Sequence, residues 1–261
     1  MKKAFFCTLV GLASLLGPAI DVFASPPSPE ATKILFVGNS LTLGNDLPGL
    51  VKSIAASKGV SIVTRTAAKG SARLAHHAEN PQLRALLDET AWDFVVLQEH
   101  SQLPALRDED VAKKTLPYAS WLAERARLMS PATQVVFYMA MAHRDGDQFN
   151  KTSFSEVGTY EGMQQRSNVT YNRMARENEA SVVPVGVVWS HMRTSHPDVE
   201  LYVDERHPTV AGSYLAACVF FTTLFSQGCE GAFQPVTLAD GTGLKIQNLS
   251  DDVLLRNAGI Q

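Results

Sequence analysis

The chain has 261 residues, of which 45% are hydrophobic and 19% are charged, and its formal net charge is −3. This length fits one domain of ordinary size once an N-terminal leader is set aside. Because the charge balance is mildly acidic and no basic block occurs, the composition argues against binding to nucleic acid or to an anionic membrane surface.

The N-terminus has the pattern of a secretory signal peptide. Lys2 and Lys3 supply the positive charge, and the short apolar stretch AFFCTLVGLASLLG follows them. Val22 and Ala24 then form an A-x-A-like site, which predicts cleavage after Ala24 and export to the periplasm or the medium. An uncleaved membrane anchor is the alternative, but the apolar stretch is shorter than the roughly 20 residues that a spanning helix needs. We therefore expect no stable membrane insertion after cleavage.

The predicted organisation has three parts. Residues 1–24 are the signal peptide, residues 25–31 are a flexible leader rich in proline and serine, and residues 32–261 are the folded domain. The domain contains an even pair of cysteines, Cys218 and Cys229. In an oxidising compartment such a pair can form a disulfide, and the alternative is two small buried hydrophobic side chains.

Short apolar runs rich in β-branched residues recur along the domain and predict strands. The predicted strands are Ile34–Val37, Val60–Arg65, Phe94–Leu97, Gln134–Met139 and Val182–Val187. The segments between these runs have helical spacing. The predicted helices are Leu47–Lys58, Pro81–Glu89, Asp110–Met129, Tyr160–Glu179 and Thr209–Phe225. This alternation indicates βαβ units, so we predict an α/β fold, a three-layer α/β/α sandwich with a five-stranded parallel sheet of flavodoxin-like type.

Ligands of such sheets bind at the carboxyl ends of the strands, so we expect the site where the chain leaves each strand. Gly38, Asn39 and Ser40 follow the first predicted strand, a loop with Gly70 follows the second, and Gln98 comes directly after the third. Long polar segments follow the fourth and fifth strands. The sequence therefore predicts one polar site at this edge of the sheet.

The turn that contains Ser40 does not match the common phosphate-binding or lipase patterns. A P-loop needs G-x-x-x-x-G-K-[ST], but the glycine at Gly44 is followed by Asn45, with no lysine. The G-x-S-x-G elbow needs a glycine at the position of Thr42. A serine nucleophile remains possible at this turn if the chain also supplies a base.

A candidate base lies near the C-terminus, in the stretch VDERHPTVAGSYLAA. Asp204 and His207 are three residues apart, and Pro208 disfavours a helical conformation at His207, which places the imidazole in the turn before a helix. A carboxylate in this position can hold Nδ1–H while Nε2 faces a serine hydroxyl. The alternative is that Asp204 caps a turn and His207 merely precedes the helix.

The GNS turn and the DERHP segment together resemble the SGNH/GDSL hydrolase superfamily, whose nucleophile lies in a GDS-like turn and whose D-x-x-H lies near the C-terminus. The stretches VGNSLT, VVLQEHSQ and VPVG look like a bacterial branch with Gln in place of the third-block Asn. The resemblance spans essentially the whole mature chain. It implies that Ser40 is the nucleophile, His207 the base and Asp204 its orienting carboxylate. It also implies an oxyanion hole formed by the backbone N–H groups of Ser40 and Gly70 and by the Gln98 amide.

The chain departs from the usual superfamily pattern at two positions. Asn39 stands where many members have Asp, and Gln98 stands where they have Asn. Because Gln is one methylene longer, the strand end must be set back for its amide to reach an oxyanion, and losing one such donor typically costs ~10²–10³ in kcat. The alternative for Gln98 is an amide that fastens the next loop.

Other polar and aromatic residues have less specific patterns. His100 and His143 follow strand ends and are candidates for substrate contact, and Trp189 and Tyr160 are candidates either for stacking on a sugar or for the core. The histidines lack the i, i+4 spacing of a helical metal site, so we predict neither a metal nor a cofactor.

These features together predict an exported serine esterase that hydrolyses short-chain esters, with acetyl groups on a carbohydrate favoured as the substrate. Two alternatives stay open: a non-catalytic glycan-binding module on the same fold, and an O-acyltransferase that forms the same acyl-enzyme. The expected partner is a small-molecule or carbohydrate ester, and nothing in the sequence indicates the oligomeric state.

Overall fold

A computed structural model describes Met1 and residues 30–256. The predicted signal peptide, apart from Met1, and most of the predicted leader lie outside the described residues. The division of the chain at residues 24 and 31 therefore stays a prediction.

The described residues form one parallel sheet of five strands. The strands are β1 (Thr32–Gly38), β2 (Ile62–Ala68), β3 (Phe94–Leu97), β4 (Gln134–Tyr138) and β5 (Ser181–Val183). Their order is β2-β1-β3-β4-β5, and every neighbouring pair is parallel. This is the flavodoxin-like order, in which the direction of strand addition reverses between β1 and β3 and leaves a crevice there. The predicted fold class is confirmed.

Helices cover both faces of this sheet. The α-helices are α1 (Ser40–Leu43), α2 (Leu47–Ser57), α3 (Leu74–Glu79), α4 (Pro81–Glu89), α5 (Asp108–Lys114), α6 (Leu116–Ala126), α7 (Tyr160–Glu177), α8 (Val185–Ser195), α9 (Val210–Phe225) and α10 (Thr242–Asp251). Single turns of 3₁₀-helix occur at Gly44–Asp46, Leu103–Ala105 and Ser155–Gly158. One face packs against α2, α8, α9 and α10, and the other against α3 to α6 and most of α7.

Strand β1 shows why the core has two layers. Ile34 and Phe36 enter the core on the α9 side, whereas Leu35 and Val37 enter the core on the α6 side, and all four are fully buried. Successive side chains of a strand point to opposite faces, so a central strand with both faces covered has a continuous apolar sequence. β1 can therefore carry the residues that follow it to a rigid position at the sheet edge.

Three predicted elements differ from the structure by more than two residues at one end. The second strand is shifted, since β2 begins at Ile62 and ends at Ala68 and the prediction was Val60–Arg65. In the other two cases a proline explains the difference. The fifth strand ends at Val183 instead of Val187, because Pro184 has no N–H for the ladder and the apolar residues after it form the buried start of α8. The predicted helix Asp110–Met129 is two helices, α5 and α6, with a break at Thr115 just before Pro117.

The cysteine pair forms a disulfide. Cys218 in α9 and Cys229 in the following loop have Cα atoms 5.6 Å apart, and both residues are fully buried. The bond ties the middle of α9 to the loop before α10. No helix within residues 30–256 is both long enough and apolar enough to cross a membrane.

Candidate active site

Ser40 lies where the first strand passes into a helix. β1 ends at Gly38, and Asn39 caps α1 by accepting a hydrogen bond at Oδ1 from the N–H of Leu41 (3.1 Å). Within the described residues, the backbone N–H of Ser40 donates to no protein acceptor. The turn therefore offers both the hydroxyl and a free N–H of Ser40 at the edge of the sheet.

The structure brings Ser40, His207 and Asp204 together in one hydrogen-bonded chain. Ser40 Oγ lies 3.1 Å from His207 Nε2, and His207 Nδ1 lies 2.8 Å from Asp204 Oδ2. Asp204 Oδ1 accepts from the backbone N–H groups of Arg206 and His207, each at 2.8 Å. One carboxylate oxygen thus shapes the turn while the other holds the imidazole.

Asp204 is ionised in this arrangement. Burial opposes its ionisation, but the hydrogen bonds from the N–H groups of Arg206 and His207 and from the His207 ring outweigh burial and hold the pKa of Asp204 below its usual value. An ionised carboxylate keeps a proton on Nδ1 of His207, because that N–H is its hydrogen-bond donor. Nε2 of His207 is then the acceptor that faces the hydroxyl of Ser40.

A separate set of hydrogen bonds joins the turn after β1 to the segment before α9. Asn45 Nδ2 donates to the carbonyls of Pro208 and Thr209, both at 3.1 Å, and to the hydroxyl of Ser213 at 2.9 Å. The φ of Asn45 is 51°, in the left-handed region that Asn tolerates better than most residues. One amide therefore fastens the serine end of the site to the histidine end, which are 167 residues apart in sequence.

Gln98 does not face the cleft, which corrects the expectation that its amide donates to an oxyanion. Gln98 is fully buried; its Oε1 accepts from the Asn39 N–H and the Thr42 hydroxyl, both at 3.0 Å. Its Nε2 donates to the Glu99 carbonyl. The longer side chain turns back over Gly38, where a Cβ would lie 2.6 Å from Oε1. Gln98 thus fastens the turn after β1, whereas the alternative interpretation expected it to fasten the next loop.

Asn39 explains the other departure from the superfamily pattern. Its Nδ2 donates to the carbonyl of Ala72 (3.1 Å) and to the carbonyl of Glu99 (3.5 Å), so it joins the turn after β1 to the loops after β2 and β3. A carboxylate has no hydrogen to donate to two carbonyls. The amide is therefore the side chain that this buried junction requires.

Gly70 lies in the loop after β2, as expected, but it is exposed and its neighbour Ser71 lines the cleft. Ser71 has a φ of 58°, a left-handed conformation that turns the loop at this point. Within residues 30–256, neither the Gly70 N–H nor the Ser71 N–H donates to a protein acceptor. The role of Gly70 as an oxyanion donor stays a prediction, and Ser71 is a further candidate.

The cleft around Ser40 is small and mainly polar. Its volume is about 110 Å³. The lining residues are Asn39, Ser40, Leu41, Ser71, His100, Ser101, Arg206 and His207. His100 therefore lies at the cleft, as predicted from its place after β3, and burial lowers the pKa of its imidazole. A space of this size suits a short acyl group.

A second Ser–His pair adjoins the same cleft, and sequence patterns did not indicate it. Ser101 Oγ lies 2.9 Å from His143 Nε2. His143 is buried, and burial lowers the pKa of its imidazole to about 4, although Asp147 acts in the opposite direction. Asp147 itself accepts from the amides of Gln102 and Asn150. His143 is therefore neutral at ordinary pH and has no carboxylate hydrogen-bonded to it among residues 30–256.

The aromatic candidates belong to the core. Trp189 is fully buried and packs edge-on against Tyr202, with ring centroids 4.9 Å apart. Tyr160 is buried, and its hydroxyl hydrogen-bonds to Ser190 (2.8 Å). Neither ring is available to stack on a sugar beside Ser40. Within residues 30–256, His, Cys, Asp and Glu side chains do not gather in groups of three or more that could hold a metal ion.

Comparisons with known proteins identify the family. No family model matches the chain, and no curated protein sequence matches it either. Among solved structures, a protein from Slackia heliotrinireducens that is assigned as an SGNH hydrolase is 31% identical; the match covers 74% of this chain and 99% of that one, with a TM-score of 0.59.

Two more distant structures share the fold. A DUF4886 family protein from Bacteroides uniformis has a TM-score of 0.73 at 16% identity, over 87% of this chain and 96% of that chain. An acetyl xylan esterase from Geobacillus stearothermophilus has a TM-score of 0.51 at 15% identity, over 74% and 94%. Given the identity and coverage of the Slackia match, this chain belongs to the SGNH hydrolases.

Proposed function

We propose that the chain is an exported serine esterase that removes short acyl groups, above all acetyl, from an alcohol. The observation that supports this most directly is the unbroken chain from Ser40 through His207 to Asp204, with distances of 3.1 and 2.8 Å. These distances lie within the range that proton transfer between a nucleophile and its base requires.

In the first half of the reaction, Ser40 Oγ attacks the ester carbonyl carbon while Nε2 of His207 takes the hydroxyl proton. The carbonyl π electrons move to oxygen, and the resulting oxyanion accepts hydrogen bonds from the N–H of Ser40 and from an N–H of the Gly70–Ser71 turn. Asp204 stabilises the imidazolium without taking its proton. The tetrahedral intermediate collapses, His207 protonates the departing alcohol oxygen, and the acyl group remains on Ser40.

The second half repeats the same chemistry with water. His207 takes a proton from a water molecule, the hydroxide oxygen attacks the acyl carbon, and Ser40 leaves with the proton returned by His207. No cofactor takes part in either half. An O-acyltransferase would differ only in that an acceptor alcohol replaces this water.

Three observations support the finer parts of the proposal. The cleft of about 110 Å³ favours an acetyl group over a long acyl chain. The buried disulfide between Cys218 and Cys229 is typical of proteins in an oxidising compartment, which agrees with export. The acetyl xylan esterase among the structural neighbours makes an acetylated carbohydrate a reasonable substrate class.

A non-catalytic glycan-binding module is the weaker alternative, because such a module has no need for an aligned Ser–His–Asp chain. The test is hydrolysis of p-nitrophenyl acetate, butyrate and octanoate by the purified protein and by Ser40→Ala. We expect activity that is highest on acetate and absent from the variant. Equal traces for the two proteins on all esters would overturn the proposal.

A further inference from the structure

A second cavity of about 380 Å³ lies beside the cleft of Ser40. Its lining residues are Gln102, His143, Asp145, Gly146, Asp147, Gln148, Phe149, Glu205 and Arg206. Arg206 lines the cleft as well, and Ser101 at the cleft hydrogen-bonds to His143 in the cavity wall. The two spaces are therefore neighbours that share Arg206 and the Ser101–His143 pair as their boundary.

The inner wall of this cavity is already organised. Asp147 is buried and accepts hydrogen bonds from the side chain of Gln102 (2.9 Å), the side chain of Asn150 (2.6 Å) and the N–H of Phe149 (3.1 Å). Gly146 has a φ of 78°, and a Cβ there would lie 2.5 Å from the backbone of Thr159. The loop after β4 thus has a fixed shape that depends on a glycine and a buried carboxylate.

The charge of the lining argues against an anionic ligand. Asp145, Asp147 and Glu205 place three carboxylates around the cavity, and Arg206 supplies the one guanidinium among its lining residues. A phosphate or carboxylate on the ligand would meet this excess of negative charge. Hydroxyl groups fit better, because they donate to carboxylates and accept from the guanidinium and from amides.

Phe149 adds an apolar surface at the rim. It is 85% exposed, so the face of its ring is accessible to a ligand in the cavity. A flat ring beside several carboxylates and amides offers one apolar face and many hydrogen-bonding groups. A sugar ring matches this combination, since its C–H groups lie on its faces and its hydroxyls lie around its edge.

We propose that this cavity binds the alcohol portion of the ester, and that this portion is a sugar unit with several hydroxyl groups and no negative charge. The inference rests on the proposed function, because the cavity adjoins the residues that release the alcohol. His207 protonates the leaving oxygen, and the residue before it, Arg206, forms the boundary with the cavity. The alcohol thus leaves Ser40 on the side where the hydroxyl-binding wall begins.

The test compares Phe149→Ala with the wild type on two substrates: methyl acetate, whose alcohol has a single carbon and does not reach the cavity, and an acetylated neutral xylo-oligosaccharide. We expect the variant to retain kcat/KM on methyl acetate and to lose about 3- to 10-fold in kcat/KM on the oligosaccharide, mainly through KM. The matched control is Phe233→Ala, another exposed phenylalanine, whose N–H bonds to Ser57 at the far end of α2. This control variant should keep the wild-type kcat/KM on both substrates.

A direct binding measurement separates the cavity from the chemistry. The deacetylated oligosaccharide is titrated into Ser40→Ala and into the double variant Ser40→Ala/Phe149→Ala, and binding is monitored by calorimetry or NMR. We expect the double variant to bind the oligosaccharide more weakly than Ser40→Ala does. A uronic-acid oligosaccharide of the same length should bind more weakly than the neutral one. Esterase activity without any of these differences would overturn the cavity assignment alone, whereas sugar binding without Ser40-dependent hydrolysis would overturn the proposed function alone.

Discussion

Two serine–histidine pairs adjoin one cleft, and they differ in what lies behind the histidine. Ser40 lies 3.1 Å from His207, and Ser101 lies 2.9 Å from His143, so distance alone would favour the second pair. His207 has Asp204 on Nδ1 at 2.8 Å. Within residues 30–256, no carboxylate is hydrogen-bonded to His143. A short serine–histidine contact is therefore not enough to identify a nucleophile.

Burial separates the two imidazoles further. Burial lowers the pKa of His143 to about 4, because a low-dielectric environment disfavours the imidazolium. A base whose pKa lies well below the working pH is a weak acceptor for the proton of its serine. Asp147 lies close enough to oppose this shift, but its oxygens accept from amides of the loop after β4. Asp147, which shapes the neighbouring cavity, therefore does not act as the orienting carboxylate of His143.

The largest expected effect separates the two serines. Ser40→Ala should lower kcat on p-nitrophenyl acetate by about 10⁴-fold or more, as loss of a triad nucleophile does in other serine hydrolases. Ser101→Ala should lower kcat by less than about tenfold, because its hydroxyl has no competent base. Labelling with a fluorophosphonate and peptide mass spectrometry should place the adduct on Ser40. An adduct on Ser101 would reverse the comparison.

The next effect separates the two acids. Asp204→Asn should lower kcat by roughly 10²- to 10⁴-fold, because an amide can present the wrong hydrogen-bonding partner to Nδ1 and cannot stabilise an imidazolium. Asp147→Asn should change kcat on p-nitrophenyl acetate by less than about tenfold, since the amide oxygen can keep most of the same donors. We would measure kcat of both variants by steady-state kinetics and verify their folding by circular dichroism. Similar losses in the two variants would mean that Asp147 assists the reaction.

Local patterns predicted the first pair but not the second. The GNS turn follows a strongly apolar strand, and Asp204 and His207 are only three residues apart, so each half of the triad is visible in a short stretch. Ser101 and His143 are 42 residues apart, in loops whose shapes depend on three-dimensional contacts. The Asp147 hydrogen bonds that shape the second loop have no pattern in the sequence. A pair of this kind becomes visible only when the strand ends are brought together.

Gln98 shows the same limit for a single side chain. Its place at the end of β3 was predictable, but its direction depends on the missing Cβ of Gly38 and on the hydroxyl of Thr42. By contrast, the errors at β5 and between α5 and α6 follow from Pro184 and Pro117, both visible in the sequence. The type of each element could be predicted from the spacing of apolar residues in the sequence. The direction of a side chain at the site could not, because it depends on how neighbouring residues pack in the folded structure.

A third effect concerns the loop that carries Ser101. Glu99 Oε1 accepts from the N–H groups of Leu74 (3.0 Å) and His100 (2.7 Å), and the residue is fully buried. Burial raises the pKa of Glu99 to about 7 from 4.5, against the effect of these donors. The folded state therefore binds the proton more tightly than the unfolded state, and the resulting stability is present below about pH 4.5 and lost as the pH rises through about 7.

The measurement is thermal unfolding of the wild type and Glu99→Gln between about pH 5 and pH 8. A shift of this size corresponds to about 3 kcal/mol at most, so the wild type should lose stability over this range. Glu99→Gln should lose less, because the neutral amide has no proton to release. Identical pH dependence in the two proteins would show that Glu99 does not titrate in this range.

The smallest expected effect tests whether the second histidine titrates with the reaction. With a pKa of about 4, His143 stays neutral across the range in which an esterase is assayed. His143→Gln should therefore change kcat/KM on p-nitrophenyl acetate by less than about threefold and leave the shape of its pH profile unchanged between about pH 5 and pH 9. A glutamine amide can still hydrogen-bond to Ser101, which keeps the cleft wall in place. A displaced profile would mean that His143 exchanges a proton during turnover, and the two pairs would then act as one coupled system.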